Sequence, residues 1–146
     1  MATKHKGAQH FQLLRGMKDV LPEESGYWKA VRDKCLAMAD SYNFYEIQLP
    51  ILESKDLFVR GVGQDTDIVS KEMFTFVDHG ESVVLRPEFT ASFARAYVEH
   101  GMVSRHQPVK LFHMGPAFRR ERPQAGRQRQ FHQIDFEIMG SASPTM

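Results

Sequence analysis

The sequence predicts an α+β fold, an antiparallel sheet flanked by helices. Three observations carry this. Short runs of strand-like residues recur along the chain, at 45–52, 71–78, 81–87 and in two runs within 110–140. Turn residues join them as hairpins. Only single helical patterns interrupt them, so the strand–helix alternation of a parallel sheet is missing.

The elements follow in order. Residues 1–14 read as a polar N-terminal arm, with His5, His10, Lys4 and Lys6 solvated. Arg15–Pro22, RGMKDVLP, is a loop that enters a helix. Pro22 suits the first helical position, and Glu23 and Glu24 favour the positive end of the helix dipole. Trp28, Val31, Cys35, Met38 and Tyr42 recur at spacings of three and four, which predicts one buried stripe facing a core or a partner. YEIQLPIL, residues 45–52, predicts a strand ending near Pro50. That proline lacks an N–H for a ladder and belongs at an edge, a bulge or a subunit boundary. Residues 53–70 read as a loop with some helix. KEMFTFVD and ESVVLRP predict two strands joined at His79-Gly80. Thr90 is placed to cap a helix over TASFARAYVEHG, with Gly101 ending it. A short polar link leads to a long hairpin, Lys110–Gly140, and residues 141–146 form a polar tail. The division expected is an arm at 1–14, a domain at 15–140 and a tail at 141–146.

Bulk properties narrow the class. With 146 residues, 42% hydrophobic and 25% charged, the chain has the composition of one soluble domain. The formal net charge of +1 gives no overall basic field, so anion binding must come from local clusters. The single cysteine excludes an internal disulfide, fits a reducing compartment and reads as a buried thiol. The start lacks the apolar segment of a signal peptide, and no run reaches membrane-spanning length, so a cytoplasmic protein without membrane association is expected.

Chemistry concentrates in the hairpin. Its loop holds Arg119, Arg120, Arg122, Arg127 and Arg129, with Glu121 among them. Guanidinium forks at that density suit phosphate oxygens. A charged turn is ordinarily just solvated. Here the interspersed Glu121 and Gln124, and the strand that follows, weigh against that. Side chains alternate along a strand. Phe131, Gln133, Asp135 and Glu137 therefore share one face, a candidate bed for a ligand with an amine or imidazole at one end and phosphates at the other. His132, Ile134, Phe136 and Ile138 share the opposite, apolar face, which suits a core. RPEFT, Arg86–Thr90, sits at a strand-to-helix junction. Glu88 and Thr90 would hold a substrate ammonium there, or simply start a helix; spacing leaves both open. The seven histidines show no metal-ligand spacing, so no metal site is expected. His113 and His132 read as satisfied structural residues. No Ser-His-Asp order supports a nucleophilic hydrolase.

RGMKDVLP at 15–22, YEIQLP at 45–50, DIVSKEMFTF at 67–76, LRPEFTA at 85–91 and nearly all of 115–140 together resemble the N-terminal part of the catalytic domain of histidyl-tRNA synthetase, a class II aminoacyl-tRNA synthetase. The resemblance implies a partial class II catalytic core with six or seven antiparallel strands. It implies a homodimer, with the Trp28 helix and the strand ending at Pro50 in the place of class motif 1 and the hairpin in that of motif 2. The reaction implied joins histidine and ATP, with Mg²⁺, to give histidyl-adenylate, then charges histidine tRNA.

Residue by residue, the resemblance makes Arg119 the catalytic group, on the α-phosphate and the histidine carboxylate. Glu121 would accept from the adenine amino group, Phe131 would stack on adenine and Arg127 would reach the outer phosphates. Glu88, Thr90 and Gln133 would bind the α-amino group and Glu137 the imidazole. Two departures stand out. Phe89 occupies a position where the family usually has glycine, so its side chain must turn away or narrow the pocket. A later R-G-x-D-Y-Y-like segment, motif 3 and an anticodon-binding domain are missing, so the chain is expected to be a fragment with weak or absent aminoacylation alone. The alternative is the non-catalytic, synthetase-like regulatory subunit of ATP phosphoribosyltransferase, which binds histidine. A third is a bare RNA-binding or dimerisation module.

Overall fold

The computed structural model describes residues 11–63 and 66–143. His5, His10 and the rest of 1–10, and residues 144–146 of the predicted tail, lie outside the described residues.

Helix α1 spans Pro22–Ser41, with Pro22 in its first turn and Glu23 and Glu24 beside it. It ends because Asn43 turns left-handed, φ 59°. The Phe44 N–H then reaches the Ala39 carbonyl at 2.9 Å and the Asn43 N–H reaches that of Asp40 at 3.1 Å, which satisfies the last carbonyls. The predicted buried stripe is not buried. Val31 is 55% exposed and Tyr42 63%, Cys35 is only half-buried, and Ala39 alone in the helix is fully enclosed. The helix meets the sheet at its edge, through Trp28 against the His132 ring at 4.5 Å, and turns most of its apolar residues outward.

Strand β1 is only Tyr45–Glu46, and β2 is Leu52–Ser54. The run predicted as one strand is cut at Leu49-Pro50, where the chain passes from one sheet to another. Helix α2, Lys55–Val62, is capped by the Ser54 hydroxyl on the Asp56 N–H. A π-helical turn, Ile68–Glu72, precedes β3, Phe74–Asp78, and β4, Glu81–Leu85. His79 and Gly80, φ 47° and 90°, make the tight reversal between them, as expected. Helix α3 is Thr90–Glu99, and Gly101, φ 61°, follows it. A 3₁₀ turn, Met102–Ser104, leads to β5, Val109–Phe118, and β6, Gln130–Met139.

The strands form two three-stranded sheets, in the orders β1-β5-β6 and β2-β4-β3. All pairings are antiparallel except β1 with β5, which is parallel. Among the described residues the sheet of six or seven strands is therefore divided in two. The β5–β6 ladder runs unbroken from Val109↔Met139 to Phe118↔Gln130.

Helix α3 lies between two core clusters. Phe93 and Ala96 join Leu49, Phe89, Met102, Leu111 and Ala117; Ala91 joins Phe58, Val69, Met73 and Val84. Arg95 of α3 also grips Glu53 of β2 through both carboxylate oxygens, the shortest contact 2.8 Å.

One buried cation joins the two sheets. Arg86, 1% exposed, donates from Nε to the Pro116 carbonyl (2.9 Å) and from Nη1 to those of Leu49 (2.6 Å) and Pro50 (3.1 Å). Its main chain receives Phe118 N–H and donates to Ile51, each at 3.0 Å. Burial lowers the pKa of this guanidinium, and the charge of Glu53 works the other way. Gly115 makes room for it, since a Cβ there would lie 2.6 Å from Arg86 Nη2. A lysine cannot serve these separated carbonyls with one point charge. Arg86→Lys is expected to destabilise the fold by about 3 kcal/mol, read as a lower urea midpoint at unchanged slope; a midpoint within experimental scatter of wild type would contradict the bridging role.

Candidate functional site

The β5–β6 register puts Phe131, Gln133, Asp135 and Glu137 opposite Ala117, Gly115, His113 and Leu111 on one face of the sheet. Helix α3 sits over that face. The expectation that the even-numbered side would carry the core is therefore corrected. The cluster containing Leu111, Ala117, Phe89 and Phe93 lies on the odd side, and Phe131 packs against it. The even side has its own, smaller aromatic packing: Phe136 meets Phe44 at 5.1 Å and Phe112 at 5.7 Å. The polar row is thus half-buried beneath the first turn of α3.

That first turn brings three predicted residues together. Glu88 accepts the Thr90 N–H at 2.7 Å and the Ala91 N–H at 3.0 Å. Thr90 is the first helical residue and Phe89 the capping position, so the carboxylate of Glu88 caps the helix, not the Thr90 hydroxyl. The hydroxyl is released to donate to Glu137 Oε1 at 2.8 Å across the sheet. Gln133 is turned along its own strand, where its Nε2 donates to both Asp135 oxygens at 2.8 and 2.7 Å. The sequence placed Asp135 on this face without a role, although its position two residues after Gln133 pointed to the pair. Phe89 is fully buried. Its ring lies 4.8 Å from His113 and beneath the Arg86 guanidinium at 4.6 Å, so it points into the core and leaves the Glu88–Thr90–Glu137 group open.

At the other end of the row Arg119, Glu121, Arg127 and Phe131 line a cleft of 310 Å³ together with Gly126, Gln128 and His132. Arg119 lies over the Phe131 ring at 5.3 Å and donates from Nε to the Pro87 carbonyl at 2.9 Å. Those contacts fix its plane. Its Nη1 stands 3.9 Å from Glu121, which also receives Arg127 Nη1 at 3.3 Å. Of the five loop arginines, two therefore face the cleft. Arg129 is structural: its guanidinium bonds the carbonyls of Glu121 (3.3 Å) and Arg15 (3.5 Å). Arg120 and Arg122 face solvent. Among the described residues no group of three His, Cys, Asp or Glu is placed to hold a metal ion.

Two cationic groups around a shared carboxylate, an aromatic plate, and a carboxylate–hydroxyl–carboxylate chain further along one strand make a composite anion-and-amine site. Known proteins share its framework. The family model for histidyl-tRNA synthetase matches residues 16–146. A histidine–tRNA ligase of Natranaerobius thermophilus is 52% identical over 131 residues, 89% of this chain and 31% of that protein. The chain belongs to the histidyl-tRNA synthetase family. A chloroplastic histidine–tRNA ligase of Gracilaria tenuistipitata var. liui is 50% identical over 91% of the chain and 32% of its own length. The chain thus spans about a third of the relatives it matches. Among solved structures, the apo histidyl-tRNA synthetase of S. aureus superposes with a TM-score of 0.76 at 38% identity, over 92% of this chain and 30% of that one. An ATP phosphoribosyltransferase regulatory subunit/histidyl-tRNA synthetase from Bacillus halodurans C superposes with a TM-score of 0.77 at 26% identity, over 93% and 34%.

Behind the site, His113 is 2% exposed. Its Nδ1 lies 2.8 Å from the Ile47 carbonyl, which can only accept, so Nδ1 carries the proton and the neutral ring leaves Nε2 bare. That buried Nε2 has no protein partner, so the prediction of a satisfied histidine holds for one nitrogen only. His132 is exposed and rests on Trp28. Burial pushes the pKa of His113 down; the Ile47 bond opposes this and the Arg86 charge adds to it. A folded pKa below the unfolded value means that the unfolded chain takes up its proton first as pH falls. Stability is then full above the ordinary histidine pKa of about 6.5 and is lost below it. Urea midpoints are expected to fall between pH 7.5 and 5.5, and His113→Asn should flatten that slope; an unchanged slope in the variant would assign the effect elsewhere.

Proposed function

We propose that this chain is the part of a histidine–tRNA ligase that binds ATP and histidine and forms histidyl-adenylate, with transfer to the 3′ end of histidine tRNA following in the whole protein. One observation carries the reading: Arg119 is held in a fixed plane between the Pro87 carbonyl and the Phe131 ring, with the Glu88–Thr90–Glu137 group on the same face of the sheet.

This placement supports the roles that the family resemblance implies. Adenine stacks on Phe131 and donates its amino group to Glu121. Glu121 is shared by Arg119 and Arg127 until phosphates take over those guanidiniums. Arg127, the more exposed of the two, reaches the outer phosphates. Arg119 bridges the α-phosphate and the histidine carboxylate, and stabilises charge as the carboxylate attacks phosphorus and pyrophosphate leaves. This is electrostatic catalysis from a preorganised donor and needs no protein nucleophile. Phe131 and Glu137 are six residues apart, roughly 20 Å along the strand, room for an adenylate laid between them. Glu88, Thr90 and Gln133 receive the α-amino group, Gln133 through its Oε1 while its Nε2 stays on Asp135. Glu137 accepts from the imidazole N–H and disfavours side chains that would leave it buried and unpaired. Mg²⁺ bound with ATP would neutralise charge on the phosphates and would be held chiefly by their oxygens, because Glu121 is the one carboxylate lining the cleft.

The outward apolar stripe of α1 supports a homodimer. Among the described residues no helix is long and apolar enough to cross a membrane, and the lone cysteine supports a reducing, cytoplasmic setting.

The Bacillus halodurans neighbour, whose name joins both activities, supports a second reading as a histidine-binding regulatory subunit. Histidine-dependent ATP–pyrophosphate exchange separates the two. The ligase reading predicts exchange by the full-length protein, and histidine binding without exchange would replace it with the regulatory one. Arg119→Ala is expected to lower the exchange rate roughly 100- to 1,000-fold with the urea midpoint retained; near-normal exchange would remove Arg119 from its role. Glu137→Gln is expected to raise the KM for histidine about tenfold or more while leaving that for ATP nearly unchanged. Equal losses for both substrates would count against the imidazole contact.

A further inference from the structure

The segment Leu14–Met17 belongs to no helix or strand, yet it holds the arginine hairpin in place. It turns on itself, with the Met17 N–H on the Leu14 carbonyl at 3.0 Å and Gly16 at φ +85°. This turn aims the Gly16 carbonyl at the hairpin, where it accepts the N–H of Arg129 at 2.7 Å and that of Gln130 at 3.4 Å. The Arg129 carbonyl in turn accepts the Arg119 N–H at 2.9 Å. The Arg129 side chain reinforces the connection by bonding the Arg15 carbonyl on one side and that of Glu121 on the other. The opposite flank of the loop is fixed independently, with the Arg120 N–H on the Glu72 carbonyl at 2.6 Å.

We infer that Gly16 is a positioning residue for the reaction: its carbonyl sets the main chain at Arg129, which sets the main chain at Arg119. The inference rests on the adenylate-forming role given to Arg119 above. Only glycine serves at this position, for two separate reasons. A positive φ of this size strains any L side chain. A Cβ would also lie 2.8 Å from Arg129 Cγ and 3.0 Å from Pro123 Cγ, both part of the loop it supports. The Glu72 anchor holds the peptide that follows Arg119, and the Gly16 arm holds the peptide that precedes it through Arg129, so each fixes one side of Arg119.

The test measures pyrophosphate exchange by the full-length protein carrying Gly16→Ala, Gly16→Ala with Arg129→Ala, or Arg119→Ala. A loop displaced by a fraction of an ångström costs rate more than fold. Gly16→Ala is expected to lower kcat/KM for ATP about tenfold or more, with the KM for histidine within twofold of wild type. Removing the Arg129 side chain in that background takes away the Cγ collision and is expected to recover at least part of the loss. Normal exchange by Gly16→Ala while Arg119→Ala is inactive would overturn the positioning role and leave the adenylate reading standing. Normal exchange by both would overturn both. A Gly16→Ala protein with a lowered urea midpoint, a raised histidine KM and no recovery on adding Arg129→Ala would show a general structural role and overturn the inference.

Discussion

The guanidinium of Arg86 is the joint on which the two sheets depend. It lies at the end of β4, enclosed, and its bonds go to three carbonyls from two other stretches of chain. Leu49 and Pro50 are where the backbone leaves one sheet for the other, and such a crossing exposes carbonyls that no ladder can satisfy. A buried cation with forked donors satisfies them. The cost of burying that charge is met by charge-assisted hydrogen bonds, by the face of Phe89 and by the field of Glu53. Because Pro116 and Phe118 bond the same residue, the loop end of the long hairpin is tied to the segment that enters α3.

The candidate site is a consequence of that joint. Pro87, the next residue, presents the carbonyl that holds Arg119 Nε. Glu88 follows and caps α3, Phe89 fills the core beneath, and Thr90 meets Glu137. Five consecutive residues thus bind the scaffold, orient the arginine, cap the helix, fill the core and reach the candidate face. The hairpin strand contributes the rest, because its period of two keeps Phe131, Gln133 and Glu137 on the side where α3 begins. The candidate face and the main core are therefore one surface, apolar at Phe131 and polar toward Glu137.

Local features were legible in the sequence. The Pro22 helix start, the His79-Gly80 reversal and the paired hairpin strands depend on neighbours in the chain, and residue type reports such geometry. That Arg119, Glu121, Arg127 and Phe131 would share a site was implied by the family resemblance; the hairpin pattern alone did not pick these two arginines from the five. Other features were set by distant contacts. Spacing identified the apolar side of α1 but not what covers it: the sheet meets Trp28 through His132, and Ala39 alone in the helix is fully buried. The helix start at Thr90 was displaced by one residue, which moved the capping role to Glu88. Nothing near Arg86 in sequence announces partners at Leu49 and Pro116, and nothing in RGMKD announces that Gly16 supports a hairpin more than a hundred residues away.

A crystal structure of the full-length protein with a non-hydrolysable histidyl-adenylate analogue tests the central claim most directly. The account predicts adenine on the Phe131 ring, Arg119 on the phosphate surrogate with Nε still on the Pro87 carbonyl, and imidazole nitrogen on Glu137. An analogue bound away from the odd-numbered face of β6, or bound there with Arg119 swung into solvent, would contradict it.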